Sequence, residues 1–407
     1  MSIRIERAPL GHLQDVLPRL LSSLSIGRAQ IALEQIRSNL QNRPHDEVLF
    51  YVARAPVDPD PKPTELLKTE ARQASPVIAA LIAIQQPSPV SSASSDVVTL
   101  VHAGVLIHHA LDRPEEGDRS GVPGHSSQPD ESTIIQRMRD HLNQDLQDRG
   151  VRFIQWASDA ADQVPLHAQR WHEGLGFEQI ATLDYLAADL SSSDPAVPST
   201  SAEPGAPMEM QFHRLSWDHA ADLSAFTQLV EATYADTLDC PKLAEYRTTS
   251  DTLRGYQAAS SFAPDLWFEV RAPRHSGNEP IGCMILAQHG PCSSNDEPPS
   301  SKSHVAVSPH QKQAQYESQD HAGQSDPEQA SGGPVVEIVY MGLVPAARGN
   351  GFGKILVDQA AKVVLTMGGS RLILGVDRRN QPARDIYRQQ GMSEVLSETV
   401  WVRKVKP

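Results

Sequence analysis

Between Val335 and Lys354 the chain reads VVEIVYMGLVPAARGNGFGK. The apolar run 338–344 predicts a buried strand, Pro345 ends it, and Arg348-Gly349-Asn350-Gly351-Phe352-Gly353 opens a helix. Three glycines alternating over five positions let the backbone turn tightly and aim consecutive N–H groups at one small anion. The helix that follows adds unpaired N–H groups and the positive end of its dipole, and Arg348 adds a charge. Other phosphate loops fit worse. Arg348 stands where a Walker loop needs its first Gly, and Ile355 where Ser or Thr should follow Lys354. The dinucleotide fingerprint needs GxGxxG, whereas Gly349 to Gly353 is spaced GxGxG. A strand–helix turn that merely needs glycines is the other reading of this segment alone.

About forty residues further on stands a second pattern, Asn380-x-x-Ala383-x-x-x-Tyr387-x-x-x-Gly391-Met392, after an apolar strand at 372–376. The first loop, Arg348-x-x-Gly351-x-Gly353 after Leu343-Val344-Pro345, resembles the acetyl-CoA pyrophosphate loop of the GNAT superfamily of N-acetyltransferases. The second resembles that family's closing strand–helix–turn, where the last position is more often Phe than Met392. The likeness covers residues 208–407, and only loosely 1–190.

The resemblance implies a mixed α/β fold, an acetyl-CoA co-substrate and a set of roles. Arg348, Gly349, Asn350, Gly351, Gly353 and Lys354 would hold the pyrophosphate. Backbone groups of Leu343 and Val344 would bond the pantetheine arm and polarise the acetyl carbonyl. Asn380 would bond the same molecule, or cap the helix that Gln381-Pro382 begins, or do both. Tyr387 is the candidate general acid, since a phenol with a pKa near 10 is protonated at neutral pH; the other reading is a core aromatic. Glu337, in the apolar strand ahead of the loop, is the candidate base, similar in placement to the Glu of histone-type members; the other reading is a charge at a strand's entry.

The acceptor wall is expected from helical patterns at 218–237 and 249–260. Between them YADTLDCPKL brings together Asp236, Asp239 and Cys240 just before Pro241, a loop between two helices. Asp239 would attract an ammonium, with Glu231 or Tyr234 on the same wall. Cys240 has no ordered His partner and is not expected to act as a nucleophile.

The elements that position these residues recur in two halves. The first predicts strands at 3–7, 47–55, 75–86, 97–109, 151–158 and 178–187, with helices at 10–24, 28–40, 132–149 and 166–174. The second predicts strands at 209–215, 266–272, 280–289, 335–344, 371–376 and 393–405, with helices at 351–368 and 381–390 besides the acceptor pair. The expected organisation is two tandem α/β units of GNAT type, 1–190 and 208–407, joined by a Pro- and Ser-rich linker at 191–207. Insertions are expected at 112–131 and 291–333. The first half has no RxxGxG; Pro165 replaces Asn380 and His172 replaces Tyr387, so its chemistry is expected to be lost.

Composition sets the outer bounds. The 407 residues carry a formal charge of −14 and 39% hydrophobic side chains, which argues against non-specific nucleic-acid binding. Three cysteines without CxxC spacing suggest neither a disulfide framework nor a structural zinc, and no metal is expected. The N-terminal residues place charges where a signal peptide needs apolar ones, and no run is long enough to span a bilayer, so a cytoplasmic protein is expected. The functional expectation is acetyl transfer from acetyl-CoA to a primary amine, in a small molecule first. A peptide or protein amine, or a non-catalytic CoA-binding module, are the other readings.

Overall fold

The computed structural model describes residues 3–42, 47–55, 76–85, 97–106, 130–160, 166–190, 210–217, 219–257, 261–272, 279–289 and 333–405. By packing the chain divides into unit 1, Met1–Gln179 with Val400–Pro407, and unit 2, Ile180–Thr399. These divisions fall at strands, whereas the linker expected at 191–207 lies outside the described residues. So do the expected insertions, apart from Asp130, Glu131 and Gly333. Glu131 begins a helix.

In unit 1 strands β1 (Arg4–Arg7), β2 (Val48–Arg54), β3 (Val77–Gln85), β4 (Val97–Val105) and β5 (Phe153–Asp159) lie side by side in that order. The first four pair antiparallel, and β4 pairs parallel with β5. Helices α1 (Leu13–Leu21) and α2 (Ile26–Asn42) follow β1; α3 (Glu131–Asp148) and α4 (Leu166–Gly174) flank β5 in sequence. Residues 400–404 close the unit, with the Val405 N–H on the carbonyl of Arg152 at 2.8 Å. Alternation along β2 and β3 sends residues to two cores, one beneath α1 and α2 and one beneath α3 and α4.

Unit 2 contains β6 (Glu178–Asp189, from Ile180 onward), β7 (Gln211–Arg214), β8 (Trp267–Arg271), β9 (Pro280–His289), β10 (Val335–Leu343), β11 (Arg371–Asp377) and the first part of β12 (Ser393–Lys404). Their order is β12-β6-β11-β10-β9-β8-β7. Here again the strands pair antiparallel from β7 to β10, and β10 pairs parallel with β11. Parallel neighbours need a crossover, and α7 (Phe352–Thr366) supplies it. Its buried residues Phe352, Leu356, Val357, Ala360, Ala361 and Val364 form the apolar stripe that seats it on the sheet. Helices α5 (Ala220–Thr233) and α6 (Thr249–Gln257) pack with a second core containing Phe226, Val230, Trp267 and Ile285. Helix α8 (Gln381–Gln389) precedes β12.

Each unit is thus a mixed sheet flanked by helices, the fold class expected. Among the described residues no helix is long and apolar enough to cross a membrane.

Candidate functional site

Strand β10 is interrupted at one place, and the site grows from it. Its register with β9 shifts between Ile338 and Tyr340, which marks Val339 as a bulge. Its parallel pairing with β11 covers only Val335–Ile338 against Arg371–Leu374. Beyond that point the two strands part. A cavity of about 500 Å³ opens between them, lined by β10 from Ile338 to Leu343, by Leu374, Gly375 and Val376 of β11, and by the first turn of α7.

At one end lies the glycine loop. Gly349 and Gly351 both have φ of +77°, and a Cβ at either would meet no atom within 4 Å. Glycine is therefore required there by backbone conformation, and open space stands before the loop. Gly351 is the N-cap of α7, whose first-turn N–H groups have no intrahelical acceptors. Asn350 turns its side-chain amide back onto the carbonyls of Ala347 and Arg348, at 3.2 and 3.0 Å, which holds the loop's shape. Gly353 meets a different demand: a Cβ there would sit 2.9 Å from Ile386 of α8. Lys354 is half-buried on the same first turn.

Two of the expected residues have partners within the chain. The Arg348 guanidinium donates to the carbonyls of Leu343 (3.1 Å), Thr233 (2.9 Å), Ala235 (2.7 Å) and Asp236 (3.2 Å). It caps the C-terminal end of α5, where unpaired carbonyls gather, and ties that end to β10. Arg348 also lines the cavity beside Gly349 and Gly351. Val344 was expected to share the pantetheine with Leu343, but its N–H is on Ile281 at 2.9 Å and its carbonyl accepts from Ala347 at 2.9 Å. Alternation along an extended strand then turns the N–H of Leu343 away from β9 and toward the opening.

The chain after α5 forms the cavity's other wall. Asp236 and Cys240 adopt left-handed φ of 53° and 44°, a costly conformation for residues with a Cβ. A reciprocal pair of hydrogen bonds holds it. The Asp377 N–H donates to Asp239 Oδ1 at 2.8 Å, and the Cys240 N–H donates to Asp377 Oδ2 at 3.2 Å. Arg379 forks onto both oxygens of Asp377, at 3.2 and 2.8 Å. Burial raises the Asp239 carboxyl to about 6, with the Asp377 charge adding to the rise and the Asp377 N–H opposing it. Burial also pushes the Cys240 thiol up, which keeps it protonated. Tyr340 bonds Thr233 at 2.7 Å and stands edge-on to Tyr234, ring centroids 5.2 Å apart.

The remaining expected residues divide. Tyr387 is buried, 7% exposed, and lines the cavity; burial raises its phenol above the ordinary value, with Asp239 contributing. Asn380 caps α8, accepting from the Ala383 N–H at 3.4 Å, and lines the same cavity, so it stands where both of its expected roles are open to it. Asp239 lines it too, while Tyr234 stands behind Tyr340 and Glu231 is exposed on α5 outside the lining. Glu337 is outside the lining as well, paired with His289 at 2.9 Å. Sequence reading missed Thr233, Tyr340, Asp377 and Arg379. A signal was available for one of them: Asp377 ends strand β11 three residues before Asn380, at the carboxyl edge where α/β sheets place ligands.

Residues 236–392 match the model of the acetyltransferase (GNAT) family. Comparison with curated proteins finds no match. Among solved structures the chain is similar to a GCN5-related N-acetyltransferase from Sphaerobacter thermophilus, at 14% identity and a TM-score of 0.49, over 100% of this chain and 96% of that one. A tandem GNAT protein from the clavulanic acid biosynthesis pathway gives 10% identity and a TM-score of 0.42, over 100% and 99%. A GCN5-related N-acetyltransferase from Kribbella flavida gives 12% and 0.38, over 93% and 95%. The splayed strands and the glycine-capped helix thus lie within the residues that match the acetyltransferase (GNAT) family model.

Proposed function

We propose that unit 2 transfers an acetyl group from acetyl-CoA to a primary amine, the acceptor being a small molecule. The observation that carries this reading is one continuous cavity with the glycine loop at one end and Tyr387 and Asp239 along its walls. The residues present suit the co-substrate. Open space before Gly349 and Gly351, backed by the positive end of α7, favours a pyrophosphate. The parted strands leave a slot for an extended arm, and the Leu343 N–H is the donor turned toward it. When bound, acetyl-CoA supplies an activated thioester whose departing sulfur must be stabilised.

Tyr387 does that by hydrogen bond. Its phenol stays protonated through the neutral range, because burial holds it above its ordinary value. A phenol less acidic than the thiol donates a hydrogen bond to the thiolate rather than handing its proton over completely. Asp239 draws the ammonium form of the acceptor into the cavity above about pH 6, where its carboxyl is ionised. Glu337 takes the ammonium's proton, and the amine then attacks. Tyr256 packs in the same cluster as Val339 and Tyr340 beside Glu337, and its phenol feels the charges of both Asp239 and Glu337.

The test is a thiol-release assay with purified protein, acetyl-CoA and a panel of primary amines, run beside Tyr387→Phe. Amine-dependent thiol release, reduced about 10- to 100-fold in kcat by the substitution with KM for acetyl-CoA unchanged, supports the reading. Acetyl-CoA binding with no release for any amine would leave a non-catalytic CoA-binding module instead.

A further inference from the structure

Glu337 lies in the paired part of β10, opposite Ala287 of β9 and Ile373 of β11. Its neighbours Val336 and Ile338 point into the core beneath α7. Alternation puts Glu337 on the other face, which carries Val339, Tyr340 and Tyr256 of α6. His289 pairs with Val335, so its side chain falls on that same face, one diagonal step from Glu337. There His289 Nε2 meets Glu337 Oε2 at 2.9 Å, with side chains only 4% and 14% exposed. A carboxylate among apolar strands needs hydrogen bonds to remain usable, and this is the side-chain partner it has.

From this geometry, and resting on Glu337 as the base, we infer that His289 is its positioning residue. An ionised carboxylate only accepts hydrogen bonds, so His289 carries its proton on Nε2 and donates to Oε2. That bond fixes the carboxylate's rotation, engages one oxygen, and leaves Oε1 as the oxygen that takes the acceptor's proton. The face that carries the pair also carries Tyr256 and Tyr340; Arg247, Asp239, Glu337 and Cys240 act electrostatically on the Tyr256 phenol, while the Tyr340 phenol bonds Thr233. A base held in one orientation transfers a proton along one line, whereas a free carboxylate at a buried strand samples several.

The experiment compares His289→Leu, His289→Gln, Glu337→Gln and the double variant Glu337→Gln with His289→Leu, using acetyl-CoA and the best amine of the panel. Melting temperature and acetyl-CoA affinity are measured for each. The expected result is a kcat about 10- to 100-fold lower for His289→Leu with KM for acetyl-CoA unchanged. His289→Gln, which keeps an N–H donor at similar reach, should restore kcat to within about 3-fold of the native chain. In the Glu337→Gln background His289→Leu should add nothing, because the two act as one unit. Wild-type kcat in His289→Leu, or losses that multiply in the double variant, would overturn the assignment of His289 while leaving Glu337 as base. Wild-type kcat in Glu337→Gln would instead remove the base, and His289's role with it. If His289→Leu folds poorly, His289→Asn provides the same contrast, since its shorter amide falls short of Oε2.

Discussion

The two units share one backbone device and surround it with different side chains. In unit 1 the register of β4 against β3 shifts between Ile82 and Ala83, marking Val101 as a bulge, and β4 pairs with β5 only over Val97–Leu100. In unit 2 the bulge at Val339 and the pairing over Val335–Ile338 repeat that geometry. Aligned by register, Trp156 stands where Leu374 does, and His172 where the motif has Tyr387. His172 stacks between Trp156 and Trp401, with ring centroids 4.0 and 4.3 Å away, and His102 meets Trp156 at 6.3 Å. Trp156 puts a large ring where unit 2 has Leu374, while His172 and His102 stand where unit 2 has Tyr387 and Tyr340. The helix starts differ as well. Gly349 and Gly351 precede α7, whereas α3 begins with Asp130 and Glu131, carboxylates that repel a phosphate from a helix N-terminus. Glu131 is engaged in structure, accepting from Trp171 Nε1 at 3.0 Å. A shared backbone device therefore does not carry a shared chemistry; the side chains around it decide.

The largest effect expected from breaking this contrast is at the loop. Gly351→Asp places a carboxylate at the α7 N-cap and should remove at least two charge-assisted hydrogen bonds, about 3–6 kcal/mol, so acetyl-CoA affinity falls beyond about 100-fold. Asp bears positive φ at a smaller cost than most residues, so melting temperature should fall modestly while the chain stays folded. Calorimetry and thermal melts on the same sample check both.

Making unit 1 more like unit 2 should cost stability without gaining a site. Trp156→Leu with His172→Ala opens the stacked cluster and should destabilise unit 1 by about 3–5 kcal/mol, read from denaturant midpoints. No acetyl-CoA site should appear, because Asp130 and Glu131 remain at the head of α3.

Arg348 gives a smaller effect of a different kind. Since its guanidinium caps α5 and ties it to β10, Arg348→Ala should loosen the acceptor wall. We expect a rise in KM for the amine of about 5- to 30-fold, the equivalent of about 1–2 kcal/mol, exceeding any change in affinity for acetyl-CoA. The reverse ranking would return Arg348 to the phosphate role.

The smallest effect is one of pH. The Asp239 carboxyl has its folded value raised to about 6, so the folded chain holds that proton more tightly than the unfolded chain. The carboxylate therefore costs stability above about pH 6, and the cost is relieved as pH falls through that value. KM for a cationic amine should rise over the same fall, as the attracting charge is lost. Asp239→Asn should flatten both profiles, in melting temperature and in KM.

Local patterns carried far into this molecule. The strand at 280–289 and the helix at 166–174 fall at their expected bounds, because an uninterrupted apolar run and a helix-ending glycine are local signals. Gly349 and Gly351 were legible for the same reason: positive φ is written into the residue type. What sequence reading missed depends on partners far away along the chain. Three of the four carbonyls that engage Arg348 lie more than a hundred residues upstream, at Thr233, Ala235 and Asp236. The Asp239–Asp377 latch spans 138 residues. The resemblance gave Val344 the same role as Leu343, yet strand alternation turns neighbouring amides opposite ways, and the Val344 N–H is on Ile281. The fate of an amide or a guanidinium is decided by tertiary geometry, and pattern alone does not encode it.

The central claim is that unit 2 holds the acetyl-CoA site and unit 1 holds none, and calorimetric titration of the whole chain tests it most directly. The account predicts one acetyl-CoA bound per chain, with binding lost in Gly351→Asp and kept in Trp156→Leu with His172→Ala. Two molecules bound per chain, or one that survives Gly351→Asp, would contradict it.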